Sequence, residues 1–247
     1  MTVHEQVGKR GLRQAPRAWV IALSLAFIAA HGAGLAFAGE WSWLVSLAFL
    51  SLAPLLAGAA AYHRARHGGY RDGWLALAAA MLLWAAGMAG NVASGVWLDS
   101  WSGVGALSML LFTLYGVPLI FIVASPEAER WPVRLVDAAL ALVLGYLFFR
   151  HTFAFATMED ADEAGLVGLR LMFDVENLFI ALIALIRFVA TAEPARRHFF
   201  RQLVIFAFAY LATAAFINHL TSDSYYGIVA DVVISIPFLL LAGLEIG

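Results

Sequence analysis

Apolar residues run in stretches of about 20, parted by short polar breaks, over roughly residues 18–38, 42–62, 74–95, 104–124, 134–155, 166–188, 201–220 and 228–246. At a rise of about 1.5 Å per residue, a helix of that length crosses a hydrocarbon core of about 30 Å. A transmembrane β-barrel would instead show segments of about ten residues with every second position polar. Runs such as "ALVLGYLFF" (141–149) do not alternate. Lipid offers no water to satisfy backbone amides, so helices are the remaining way to span it. The pattern predicts an all-α, polytopic transmembrane bundle of about eight spans. Residues 1–17 form a polar basic tail, and residues 18–247 one eight-helix domain.

Composition agrees: 63% of the 247 residues are hydrophobic and 13% charged, against about 25% charged in soluble domains. Mean hydropathy is +0.84. The net charge of −2 hides an asymmetry. Basic residues fall in the N-terminal tail, in "YHRARHGGYRDG", in "SPEAERWPVR", and at Arg187 with "TAEPARRHFFRQ". Of the fifteen, only Arg150 and Arg170 lie elsewhere. The intervening connections "AGEW", "WLDSWSG", "TMEDADEAG" and "NHLTSDSYYG" are acidic or neutral. The positive-inside rule places the arginine-rich loops, and with an even number of spans both termini, in the cytoplasm. A basic start followed by "AFA" at 36–38 also fits a secretory signal with its cleavage site. The apolar stretch, however, exceeds the usual 7–15 residues. Cleavage would leave seven spans.

Tryptophans and tyrosines near predicted span ends, among them Trp19, Trp41, Trp43, Tyr62, Trp74, Trp97, Trp101, Trp131, Tyr225 and Tyr226, fit an interfacial belt. Pro54, Pro118 and Pro237 lie inside spans, where each removes a backbone donor and should bend its helix. The small-residue stretches "GAGLAFAG" and "AAGMAGNVASG" permit close helix approach in lipid.

Against this background the polar residues within spans stand out, and they gather in the outer half of the bilayer. His31 lies late in span one, Asn91 in span three, Arg150 and His151 in span five, and Asn218 and His219 at the end of span seven. Arg170, Asp174, Glu176 and Asn177 open span six, and Asp231 opens span eight. Helical spacing puts Arg170, Asp174 and Asn177 on one face and makes an Arg170–Asp174 pair available. Glu176 points elsewhere and needs another partner, with Arg150, His151 and His219 as candidates. A charge at the bilayer centre costs about 2.5–3.5 kcal/mol on insertion scales, so such groups normally face the bundle interior and pair. Arg150, His151, Arg170, Asp174, Glu176, Asn177, His219, Asp231 and His31 are therefore the candidate ligand-binding set, converging on an outward-opening cavity. The competing account is structural: the arginines snorkel to the interface, and Asp174 and Asp231 favour helix N-termini.

Other chemistries find little purchase. There is no cysteine, hence no thiolate nucleophile or cysteine metal site. No two histidines are spaced i, i+4 within a span, and His63 and His67, which are, occupy a loop. No metal or other cofactor is implied. Lys9, the only lysine, lies in the polar tail and excludes a Schiff-base chromophore in the bundle. "MEDADEAG" lacks the ligand spacing of a calcium loop. No nucleotide-binding or hydrolase motif occurs, and no nucleic-acid partner is expected.

The segments "RWPVRLVDAALALVLGYLFFRHTF" (130–153) and "DVVISIPFLLLAGLEIG" (231–247) resemble the N-terminal membrane regions of bacterial GGDEF-type diguanylate cyclases, multi-span sensory modules of the MASE kind. The resemblance implies an input module that binds a small ligand from the outer side and controls a cytoplasmic output domain in cyclic-di-GMP signalling, with pairing of two copies through small-residue faces. The catalytic GGDEF motif is absent from this chain, so the module itself is expected to be without enzymatic activity. The alternative is a small transporter or channel-like protein, which would continue the polar path toward the cytoplasm. The inner halves of the spans look nearly uncharged, which favours a blind pocket. An embedded enzyme would need acid and histidine groups converging on one point.

Overall fold

A computed structural model describes residues 3–97, 102–124, 135–137, 139–146, 163–220 and 226–246. Within them the elements are α1 (Val3–Phe37), a 3-10 turn (Gly39–Trp41), α2 (Ser42–His67), α3 (Arg71–Trp97), α4 (Ser102–Leu114), α5 (Gly116–Ala124), α6 (Leu135–Tyr146), α7 (Glu163–Ala190), α8 (Pro194–Leu220) and α9 (Val229–Ile246). The described residues contain no strand. Each predicted stretch coincides with helix, the fourth being divided into α4 and α5 and the fifth described only over α6.

Four stretches, Ala18–Phe37, Gly39–His67, Arg71–Ala93 and Pro194–Ile217, are long and apolar enough to cross a membrane. α7 is as long, but Arg170, Asp174, Glu176 and Arg187 interrupt its apolar character. Helix ends overrun the apolar stretches at the basic loops: α2 continues to His67, α3 already begins at Arg71 and α8 at Pro194. Hydropathy measures what lipid tolerates, whereas intrahelical hydrogen bonds persist through the interface into water.

α2 and α3 form the central pair, with α9 and α1 on one flank of α2, α4 and α5 against α3, and α7, α8 and α9 packed in succession. Ala53, Ala57, Ala61 and Ala65 recur every fourth residue on α2, and all are buried. This small-residue face lets the neighbouring backbones come close. A Cβ on Gly58 would meet the Met81 Cβ at 3.2 Å. On α3, Gly87 and Gly90 do the same toward α4, where a Cβ would meet the Phe112 ring at 2.9 Å and the Ser108 Cβ at 3.3 Å respectively. Larger side chains fill the remaining core: Trp74, Leu77, Met81 and Trp84 from α3, Phe199, Leu203 and Phe206 from α8, Phe238 and Leu241 from α9. α1 is peripheral. It leaves Trp19, Ile21, Leu23, Leu25 and Phe37 exposed and buries His31 completely.

One expectation about the aromatic belt is corrected. Trp19, Trp41 and Tyr62 are exposed as belt residues should be, but Trp74 is only 1% exposed. It stands edge-on to Phe199, with centroids 4.9 Å apart. Span-end position alone does not separate an indole facing lipid from one facing a neighbouring helix. Trp97, Trp101, Trp131 and Tyr225 have side chains outside the described set.

The prolines also part ways. α2 and α9 run through Pro54 and Pro237 as continuous helices. Pro118 coincides with a break: α4 ends at Leu114, Tyr115 closes a tighter turn through its N–H to the Phe112 carbonyl at 3.3 Å, and α5 starts at Gly116. Pro118 has no N–H to offer the Leu114 carbonyl four residues back, and its ring crowds that carbonyl. Something must occupy the gap so opened.

Candidate functional site

Glu176 of α7 meets that break. Its carboxylate packs so closely against Gly116 that any Cβ at position 116 would collide with it. Oε2 of Glu176 is buried and has no hydrogen-bond partner among the described residues. Beside it, the Tyr115 hydroxyl donates to Asn177 Oδ1, holding the turn of the break to α7. Tyr210 of α8 stands edge-on to Tyr115 at 5.9 Å, accepts from Trp84 Nε1 at 2.8 Å and lies within electrostatic reach of Glu176. Two residues earlier on α7, Asp174 Oδ2 pairs with His219 Nε2 of α8 at 2.5 Å, the histidine side chain half exposed and the aspartate mostly covered. A buried carboxyl with a free acceptor oxygen, set in a helix discontinuity, is a group that a proton, a cation or a hydrogen-bond donor would satisfy.

A second cluster lies where α1, α2 and α9 meet. The chain enters α9 through Gly227, at φ +97°, where a side chain would strike Ser42 and the Trp43 backbone. Asp231, in the first turn of α9, reaches back to accept from the N–H groups of Gly227 at 2.7 Å and Ile228 at 3.1 Å. It also accepts from the Ser46 hydroxyl at 2.6 Å. Because Ser46 spends its proton on Asp231, it must accept from His31 Nε2, 3.3 Å away, which fixes the imidazole proton on Nε2. His31 Nδ1 is then a buried acceptor without a partner, and the ring stacks on Phe49 at 4.7 Å. Ser108 Oγ lies 2.6 Å from both Asn91 Oδ1 and the Gly87 carbonyl, its one proton shared between the two acceptors, while Asn91 Nδ2 donates to Tyr226 at 3.1 Å.

The predicted set therefore divides. Asp174, Glu176, Asn177 and His219 come together around α7 and the α4–α5 break, whereas His31 and Asp231 form a separate chain through Ser46. Asp174 bonds to His219, so that histidine is not the partner of Glu176 among the described contacts. Arg150 and His151 lie outside the described residues, and of Arg170 only the backbone, in α7, lies within them. The short side chains that complete these networks, Ser46, Ser108 and Tyr115, carry no charge to mark them in an apolar run, and Gly116 matters by what it lacks. Pro118 was the legible signal of the break.

A cavity lies at the opposite, arginine-rich end. It measures about 590 Å³ and is lined in part by Arg64, His198, Arg201 and Gln202. Arg64, His198 and Arg201 belong to the ends of α2 and α8 that meet the basic loops.

No protein-family model, curated protein or solved structure matches the chain. The functional reading accordingly rests on the geometry and on the resemblance drawn from the sequence.

Proposed function

We propose that this chain is a membrane-embedded signal-input module in which the α4–α5 break is the two-state element and the Glu176 carboxyl its receptor group. The observation that carries the proposal is the Glu176 carboxyl seated against Gly116 at the break, with its Oε2 buried and unpartnered among the described residues. A discontinuous helix can straighten or stay broken, and an agent that satisfies Glu176 in one arrangement better than in the other shifts that balance. Asp174, His219, Asn177, Tyr115 and Tyr210 would tune access to it. In the proposed topology the arginine-rich loops are cytoplasmic, the agent arrives from the outer side, and α5 and α9 carry the change toward an output domain of the cyclic-di-GMP class. The natural absence of cysteine makes a direct test convenient. Spin labels at Leu107→Cys on α4 and Ala124→Cys on α5 would sit about 25 Å apart along a straight helix. In proteoliposomes, acidifying the bath should change the 107–124 distance distribution, and Glu176→Gln should abolish the change. An unresponsive distribution, or one that responds equally in the Glu176→Gln protein, rules the proposal out.

A second reading is transport, favoured by the same broken helix with an intramembrane carboxyl, a combination that coordinates ions in transporters. It predicts proton or cation entry detected by a dye trapped in the vesicles and stopped by Glu176→Gln. The input module predicts no flux.

A further inference from the structure

The cavity at the arginine-rich end is built differently from the outer layer. Ile21, Leu25 and Ile28 of α1 face Ile236, Leu239 and Leu240 of α9 across it, giving a long apolar corridor between the peripheral helix and the bundle. Its polar end carries two guanidinium groups, Arg64 from the last turn of α2 and Arg201 from the start of α8, with His198 beside them. Arg64 Nη2 donates to His198 Nε2 at 3.4 Å, so the imidazole is an acceptor there and the charge at this end comes from the arginines. His198 and Arg201 also line an adjoining recess of about 440 Å³ with Arg197 and Phe188, which extends the cationic end outward. Gln202 lines the cavity as well. It is 2% exposed, and its amide oxygen is buried without a partner.

We infer that this cavity holds an anionic acyl lipid of the adjacent leaflet, its phosphate between Arg64 and Arg201, its chain between α1 and α9, and a headgroup hydroxyl donating to Gln202. Charge complementarity selects the phosphate, since guanidinium groups bind it through charge-assisted, often bidentate hydrogen bonds. The apolar corridor selects a chain over a free anion, and the unpartnered amide oxygen selects a hydroxylated headgroup over a quaternary amine. α1, which buries little else against the bundle, would be secured to it by the lipid. The inference does not rest on the input-module reading, because none of its residues belongs to the outer layer.

The test uses the full chain in detergent micelles, titrated with dioleoyl phosphatidylglycerol, dioleoyl phosphatidylcholine or inorganic phosphate, with binding read by native mass spectrometry and thermal shift. Phosphatidylglycerol should bind at least about tenfold more tightly than phosphatidylcholine, and Arg64→Gln and Arg201→Gln should each weaken it about fivefold. Ser24→Phe, which narrows the corridor but keeps both arginines, should weaken the lipid and spare phosphate. Equal affinity for the two lipids in the unmodified chain overturns the proposal without recourse to any variant. Indifference of phosphatidylglycerol to both arginine substitutions does so too. Binding of phosphate as tight as that of the lipid, unaffected by Ser24→Phe, would reduce the site to an anion site and reject the acyl component.

Discussion

The two ends of the bundle solve the same problem, polar groups near lipid, in opposite ways. At the end away from the basic loops, a few short side chains close on one another through directional bonds. Asp231 collects three donors, Asn91 bridges Ser108 and Tyr226, and Tyr115 ties to Asn177. At the arginine-rich end, long side chains lie over rings, Arg196 over Tyr70 at 5.1 Å, Arg197 over Phe188 at 5.3 Å and Arg66 over Tyr62 at 5.7 Å, while Arg196 also pairs with Glu193 at 2.7 Å and Arg66 donates to the Tyr62 hydroxyl at 3.1 Å. Tyr70 itself adopts φ +59°, a conformation costly outside glycine. It is held there by Phe199, 5.2 Å away. Bonds among short groups fix one geometry and leave little slack, whereas a guanidinium carries five N–H donors on a flexible stem and can serve several acceptors at once. Stability should therefore be concentrated at the first end and ligand affinity at the second.

Several substitutions would break or sharpen this contrast. The largest effect should come from Asp231→Ala, which strands two backbone donors and Ser46 and removes the hydrogen bond between α9 and α2. About 3 kcal/mol is expected from three bonds near 1 kcal/mol each, read by thermal or denaturant unfolding in micelles. A loss under about 1 kcal/mol would show that the cap carries little. Gly116→Ala should follow at about 2 kcal/mol, because its Cβ must displace the Glu176 carboxylate. Combining it with Glu176→Ala should recover part of that loss, and strict additivity would mean the two do not touch. Tyr210→Phe removes the acceptor of Trp84 in the core and should cost about 1 kcal/mol, with a change in Trp84 fluorescence. Arg66→Gln, at the exposed basic end, should stay within about 0.5 kcal/mol. Should the arginine substitution prove as costly as Asp231→Ala in lipid-free protein, the contrast fails.

Much of the secondary structure was legible before any coordinates, since a run of about twenty apolar residues is a local property that bilayer thickness turns into a helix. The candidate residues on α7 were legible for a related reason: Asp174 and Glu176 are conspicuous where neighbours are Leu, Phe and Ile. Their partners were not. That Asp174 meets His219, and Glu176 meets a glycine, depends on how α7 is rotated against α5 and α8, and each residue turns about 100° around a helix axis. Trp74 shows the same limit, for its place near a span end fits either a lipid-facing or a core-facing ring.

The amino-acid order thus determined an all-helical chain with membrane-length apolar stretches, its basic and acidic connections alternating, and a proline-weakened fourth stretch, because each follows from composition within a few turns. Tertiary packing alone decided that the outer polar residues split into two networks instead of one, that Glu176 fills the break at Gly116, and that Arg64 and Arg201 share a cavity. Those outcomes join residues of different helices, Glu176 with Gly116 and Ser46 with Asp231 among them, and only the docking of whole helices brings them together.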